Sequence, residues 1–203
     1  MFRFAAPLAA LALLGSLTTA HAADAAKPAT ELATFAAGCY WCVESDFDKV
    51  KGVLDTTPGF MGGKTEKPTY EEVSSGATGH TEAVNVTYDP TVVTYKQLLD
   101  HYWVNVDLVD AGGQFCDRGS QYRPAIFVYN DEQRKQAEAS KQAIVDSKQF
   151  KEKVVVEINQ ASAFTPAPDP DYYKNNPIRY KFYRSGCGRD ARLEQLWGDK
   201  AGH

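Results

Sequence analysis

The 203-residue sequence predicts one domain of the α+β or α/β class. Three observations predict it. Short apolar stretches of strand character intermix with stretches of helical spacing along the chain. The length supports one buried core and shows no second one. Hydrophobic residues make up 43% and charged residues 24%, ordinary globular usage that excludes disordered, collagen-like and coiled-coil classes. The net charge of −4 provides no basic field, so no nucleic acid partner is expected. Four cysteines are too few for a disulfide scaffold.

Residues 1–22 read as a secretory signal peptide: Arg3 is the positive start, Ala5 to Leu17 the apolar run, and Ala20-His21-Ala22 the small-residue cleavage pattern. The run is too short to span a bilayer comfortably, so cleavage leaves no membrane insertion. Residues 23–30 read as a linker and 31–203 as the folded domain. Glu31–Ala37 is apolar enough for a buried strand. Tyr40–Lys51 carries Val43, Phe47 and Val50 near helical spacing, and Gly52 ends it. Val53–Phe60 reads as a strand before the Gly62-Gly63 turn, and Thr69–Ser74 as one helical turn. Glu82–Tyr88 alternates apolar and polar residues up to Asp89-Pro90, a strand signal. Thr94–Asn105 reads as a helix with Thr94 as N-cap. Asp107–Gln121 is Gly-rich and irregular. Pro124–Tyr129 and Lys153–Ile158 read as strands, Asp131–Ser147 as a solvent-facing helix, the proline-dense Phe164–Pro177 as loop, and Arg189–Trp197 as a last helix.

The strongest local feature is Gly38-Cys39-Tyr40-Trp41-Cys42 at a strand-to-helix junction. A cysteine in the first turn of a helix meets unpaired N–H groups and the positive dipole end, which favour the nucleophilic thiolate. The same residue could equally be a small buried hydrophobe. The C-x-x-C spacing also fits a thioredoxin-like dithiol. A zinc site is disfavoured, because Cys116 and Cys187 are single and no paired histidines follow.

The residues around this junction resemble the A-class peptide methionine sulfoxide reductases. Gly38-Cys39-Tyr40-Trp41-x-Val43-Glu44 is similar to that family's G-C-F-W-G-x-E signature. Pro58-Gly59-Phe60-Met61-Gly62-Gly63, Pro68-Thr69-Tyr70-Glu71-Glu72-Val73, Thr78-Gly79-His80-Thr81-Glu82-Ala83-Val84 and Asp117-Arg118-Gly119-Ser120-Gln121-Tyr122-Arg123 match further motifs in the family's order. The resemblance implies an α+β sandwich around a mixed sheet, ferredoxin-like at its centre, with long loops. It implies reduction of methionine (S)-sulfoxide, free or in proteins, with no metal or organic cofactor.

Reducing a sulfoxide requires a soft nucleophile, acids beside the oxygen and an apolar notch for the S-methyl group. Cys39 supplies the nucleophile. Glu82, kept neutral by burial, is the expected general acid. Tyr70 and Tyr122 are expected to hydrogen-bond the developing oxyanion, and the resemblance implies that Asp117 helps organise the site by hydrogen bonding. Tyr40 and Trp41 are expected to bind the methyl group. The family form has Phe where Tyr40 stands, and the added hydroxyl needs water or an acceptor. His80 either orients the Glu82 segment or packs.

The attack leaves Cys39 as a sulfenic acid that a second thiol condenses into a disulfide. Cys187, flanked by Gly186 and Gly188 on an expected mobile loop, is the first choice. Cys42, where the family has Gly, is the alternative, and Cys116 adjoins Asp117. The expected partners are oxidised proteins or free methionine sulfoxide and a thioredoxin-like reductant, acting on a monomer in the periplasm. The competing functions are a C-x-x-C thiol–disulfide oxidoreductase using Cys39 and Cys42, and a non-catalytic domain that only recognises oxidised methionine.

Overall fold

The computed structural model describes residues 1–2 and 30–202. The expected signal peptide and the linker to residue 29 lie outside the described residues. The elements in chain order are β1 (Glu31–Ala36), α1 (Tyr40–Phe47), β2 (Val53–Met61), α2 (Tyr70–Ser74), β3 (Thr81–Tyr88), α3 (Tyr95–Trp103), β4 (Gly113–Gln114), β5 (Asp117–Arg118), β6 (Ala125–Val128), α4 (Asp131–Ser147), β7 (Glu157–Gln160), β8 (Thr165–Pro166), α5 (Tyr172–Asn175), α6 (Pro177–Gly186) and α7 (Arg189–Trp197). Among these, no helix is long and apolar enough to cross a membrane.

Six strands form one mixed sheet in the order β7-β6-β1-β3-β2-β8. The inner four, β6-β1-β3-β2, are antiparallel neighbours, and only β6–β7 runs parallel. With α1 and α3 as the crossovers, this is the ferredoxin-like centre that the resemblance implied. Alternation along the strands explains the layering. Ala33 and Phe35 of β1, with Val84, Val86 and Tyr88 of β3, belong to the main core with Phe47, Leu98, Leu99 and Tyr102 of the helices. The stacked Phe35 and Phe47 rings, 4.7 Å apart, fix α1 over β1. Ala36, Ala83, Ala125 and Phe127 point to the opposite face, where a smaller cluster sits beneath Ala161 and Phe164.

Local chemistry explains several boundaries. Thr69 and Thr94 each accept a hydrogen bond from the backbone N–H three residues on, and the Glu72 and Gln97 side chains each accept one from the cap residue's own N–H. These capping boxes fix the starts of α2 and α3. Asn130 caps α4 by accepting from Gln133 N at 2.9 Å.

Three expectations need correction. The helix after Cys39 ends at Phe47 and not Lys51, because Gly52, at φ +100°, turns the chain into β2. Val154 and Val156 are buried, yet the run packs outside the sheet. Val155 N donates to Leu108 O at 2.8 Å, and ladder pairing with β6 begins only at Glu157. The segment Phe164–Pro177 holds β8 and α5, and Pro177 opens α6, where a missing N–H is harmless. Cys187 therefore sits at the end of a ten-residue helix and not on a mobile loop.

Candidate active site

β1 and β3 are antiparallel neighbours, so the end of β1 lies beside the start of β3. The chain leaves β1 through Gly38 and enters α1 at Tyr40. Gly38 has φ +85°, and a Cβ there would come within 2.6 Å of the Gln114 side chain. Both constraints favour glycine. Glu82 shares the face of Val84 and stands opposite Phe60 in the β2–β3 register, so its carboxyl group is carried under α1. There Glu82 Oε2 accepts from Tyr40 N at 2.9 Å, satisfying the first free N–H of the helix.

The result is a cleft of about 250 Å³ lined by Cys39, Tyr40, Trp41, Tyr70, Glu82, Asp117, Tyr122 and Tyr183. Every catalytic and substrate-binding residue expected from the sequence lines it, together with Tyr183, which the sequence reading missed. α2 and the 3-10 turn at Ser120–Tyr122 bring Tyr70 and Tyr122 in from two sides. Gln121 fastens them: its Nε2 donates to Ser74 O at 2.8 Å and its carbonyl accepts from Thr81 Oγ1 at 3.0 Å. His80 is structural. Its Nδ1 accepts from Gly63 N at 3.1 Å and its Nε2–H donates to Thr65 O at 2.8 Å, pinning the turn that leads into β3.

Burial pushes the Glu82 carboxyl group up to about 8, against the lowering effect of the Tyr40 N–H; nearby Asp117 and Asp169 add to the rise. Glu82 is 2% exposed and holds its proton through the neutral range. Burial also raises Tyr70, Tyr122 and Asp117, so both tyrosines remain donors. The expectation that the helix start lowers the Cys39 thiol is reversed. Burial holds it well above its ordinary value, the Cys42 and Glu82 charges add to this, and the Tyr183 hydroxyl opposes it. Cys42 is the more acidic partner, lowered by a hydrogen bond from Cys39 and by the Arg189 and Arg184 charges, against its own burial.

The hydroxyl of Tyr40 has its acceptor. It donates to Asp169 Oδ1 at 2.5 Å, while Trp41 Nε1 donates to Asp169 Oδ2 at 2.9 Å. Trp41 is stacked on Tyr172 with ring centroids 3.8 Å apart and meets Tyr183 edge-on. The segment 169–172 thus holds both aromatic walls. Its backbone is anchored by Asp171 N, which donates to the buried Glu44 Oε1 at 2.9 Å. Burial raises Glu44 to about 7. Asp169 and Tyr172 were hidden in a stretch read as loop; the one signal for Asp169 was the acceptor that the extra hydroxyl of Tyr40 demands.

The cysteines pair differently from the first choice made on sequence. Cys187 is bonded to Cys116, and Cys39 and Cys42 are free thiols. The reason is placement: α6 ends directly over the loop before β5, and both disulfide sulfurs lie within 4.0 Å of the Asp117 carboxylate. Tyr183 also donates to Asp117 Oδ2. The disulfide therefore ties together the two elements that carry Asp117 and Tyr183. Cys116, Asp117 and Cys187 form a cluster within 4.8 Å, but its sulfurs are bonded to each other and offer no thiolate ligand.

A thiol beside a neutral carboxylic acid, with tyrosine donors and an aromatic wall, defines a thiol-dependent oxidoreductase site. Comparison with known proteins agrees. Residues 31–201 match the Peptide methionine sulfoxide reductase family. The chain is 51% identical to a peptide methionine sulfoxide reductase of Bacillus licheniformis over 84% of this chain and 95% of that protein. It is 48% identical to the Bacillus subtilis counterpart over 84% and 97%. Among solved structures, methionine sulfoxide reductase A of Corynebacterium diphtheriae is similar at TM-score 0.65 and 32% identity, covering 75% of this chain and 78% of that one. Reduced Mxr1 of Saccharomyces cerevisiae is similar at TM-score 0.69 and 26% identity, covering 73% and 87%. The chain belongs to the peptide methionine sulfoxide reductase family, A type. It is an oxidoreductase that reduces methionine sulfoxide to methionine.

Asp169 serves two donors and Tyr40 supplies one of them. Asp169→Ala is expected to lower unfolding stability by about 2 kcal/mol and raise KM, and Tyr40→Phe to lower stability by less than about 1 kcal/mol. Denaturant unfolding and steady-state kinetics check this; a larger effect from Tyr40→Phe would contradict the assignment.

Proposed function

We propose that the substrate is the S epimer of methionine sulfoxide, free or in proteins, and that the cleft reduces it through a sulfenic acid on Cys39. The observation that carries this reading is the buried, protonated Glu82 in the same cleft as Cys39 and the hydroxyls of Tyr70 and Tyr122. The S-methyl group packs against Tyr40 and Trp41. The sulfoxide oxygen accepts hydrogen bonds from Glu82 and the two tyrosines, which makes its sulfur electrophilic. Cys39 attacks that sulfur. Oxygen passes to Cys39, which is oxidised by two electrons to Cys39–SOH, and the substrate sulfur is reduced by two to the thioether. Glu82 lends a proton to the oxygen and regains one from the Cys39 thiol, so the proton count closes. Asp117 orients Tyr183 against the nucleophile.

Cys42 is the resolving cysteine of this reading. It is the second free thiol, it lies one helical turn from Cys39, and it is hydrogen-bonded to it. Cys187 is committed to Cys116. Cys42 condenses with Cys39–SOH to form a disulfide and release water, and a thioredoxin-like dithiol reduces that bond. The competing oxidoreductase reading gives no work to the protonated Glu82 or to the hydroxyls of Tyr70 and Tyr122 in the same cleft, because disulfide exchange has no oxygen to protonate. The recognition-only reading leaves no work for Cys39, and Cys39→Ser abolishes the reaction in the present one.

Residues 1–22 support export to the periplasm, where the reductant's electrons must arrive from across the membrane. The mature protein is then expected to begin at Ala23. N-terminal sequencing tests this, and an intact Met1 on the mature protein would overturn it.

The general-acid role sets a pH dependence. Glu82 loses its proton as pH rises through about 8. The single-turnover rate is therefore expected to fall above that pH. Glu82→Gln is expected to slow the step by about 10²-fold or more and to lack that descending limb. An unchanged rate in the variant removes Glu82 from the acid role.

Cys42→Ser is expected to release one equivalent of methionine per enzyme yet to form no Cys39 disulfide. In the native protein after one turnover, disulfide mapping is expected to show Cys39–Cys42 alongside Cys116–Cys187. A Cys39–Cys187 link would reassign the resolving step.

A further inference from the structure

A buried ionic cluster stands behind α1 that the reductase reaction as described does not use. Cys39, Cys42 and Asp46 follow at steps of three and four residues and so lie along one face of α1. Asp46 is 1% exposed, and two arginines from the C-terminal helices converge on it. Arg184 of α6 donates to Asp46 Oδ1 at 2.8 Å and to the Tyr180 hydroxyl at 3.1 Å; its Nε donates to Asp190 at 2.9 Å. Arg189 of α7 is 2% exposed and pairs with Asp46 Oδ2 at 3.4 Å. It also donates to Ala37 O at 3.0 Å and Asn105 O at 2.7 Å, and it lies over the Phe115 ring. Its buried Nε has no hydrogen-bond partner among the described residues.

Arg184 divides its charge between Asp46 and the 38%-exposed Asp190, at 2.7 Å, whereas Arg189 has Asp46 alone as an ion-pair partner among the described residues. A buried cation that shares its one carboxylate is costly unless a further negative charge is near. Cys42, one turn from Asp46 and 2% exposed, is the group placed to carry it. We propose that Arg184 and Arg189 are positioning residues for the resolving step, their guanidinium groups stabilising the charge that the Cys42 sulfur bears as it attacks Cys39–SOH. This rests on the reading of Cys42 as the resolving cysteine. In the step, the Cys42 thiolate forms the S–S bond, the S–O bond of Cys39 breaks, and the departing hydroxide takes a proton to leave as water. Cys39 sulfenic sulfur is reduced and Cys42 oxidised as the two sulfurs share the disulfide. The groups facing Cys42 are Cys39 and Asp46 on α1, Tyr180 and Arg184 on α6, Arg189 on α7 and Glu82 on β3, with Asp190 of α7 behind Arg184; the hydrogen bond from Cys39 lowers the Cys42 thiol most, and the Arg189 and Arg184 charges add to it.

The test separates the two steps by rapid quench of reduced enzyme with stoichiometric methionine sulfoxide, reading methionine release and Cys39–Cys42 disulfide formation against pH. Arg184→Met is expected to leave methionine release at the native rate. It is expected to slow disulfide formation about tenfold at neutral pH, the deficit closing as pH rises and Cys42 ionises. Arg184→Lys, which keeps the charge, restores the rate. Asp46→Asn removes the opposing carboxylate and is expected not to slow disulfide formation, whereas a merely structural Asp46–Arg184 pair predicts that both variants fail alike. Native enzyme that forms no Cys39–Cys42 bond refutes the underlying choice of Cys42 and the proposal with it. A Cys39–Cys42 bond that forms in Arg184→Met at the native rate and pH profile, or variants Arg184→Met and Asp46→Asn slowed equally, leaves that choice standing and overturns the role of the arginines.

Discussion

The site depends on the hydrogen bond from the Tyr40 backbone N–H to the Glu82 carboxyl group. It joins the first turn of α1 to the start of β3, two elements distant in sequence that the β1–β3 pairing brings side by side. The same bond decides which acid is available. One carboxyl oxygen is committed to a helix N–H, the group is 2% exposed, and no cation is paired with it among the described residues. Desolvation then wins over the single stabilising donor, and the acid stays neutral where free carboxyl groups are charged. The nucleophile, one residue before Tyr40, is buried as well, so its activation must come with substrate and from its neighbours, not from exposure to a bare helix end.

The C-terminal third completes this arrangement. Asp169 and Tyr172 brace the aromatic walls. Tyr183 reaches Cys39 from α6, and the Cys116–Cys187 disulfide holds that helix against the segment bearing Asp117. Arg184 and Arg189 pack the other side of the same two helices against α1. One short stretch of chain therefore closes the cleft on one face and sets the electrostatics of the thiol pair on the other.

Much of this was legible in the sequence. The strand-to-helix turn at Gly38-Cys39, the capping pattern Thr69-x-x-Glu72, the alternation of β3 and the whole of α4 and α7 follow from local chemistry. The cleft residues were found through ordered motifs, because no single Glu or Tyr announces its role. What was hidden depended on tertiary contact. Val154–Val156 advertises burial but not its partner, which is Leu108 and not a strand. The prolines near Asp169 suggested loop, yet Pro177 occupies the one helical position that tolerates it. The glycines around Cys187 suggested mobility, and the helix before them instead delivers the sulfur to Cys116. The direction of the Cys39 shift was misjudged because a helix end is visible in sequence and depth of burial is not.

The most direct measurement is the infrared carboxyl band of Glu82, isolated as the difference between native protein and Glu82→Gln and followed with pH. A protonated carbonyl band that persists through neutral pH and disappears as pH rises through about 8 is the predicted result. A band already lost in the ordinary carboxylate range would show an ionised Glu82 and contradict the account.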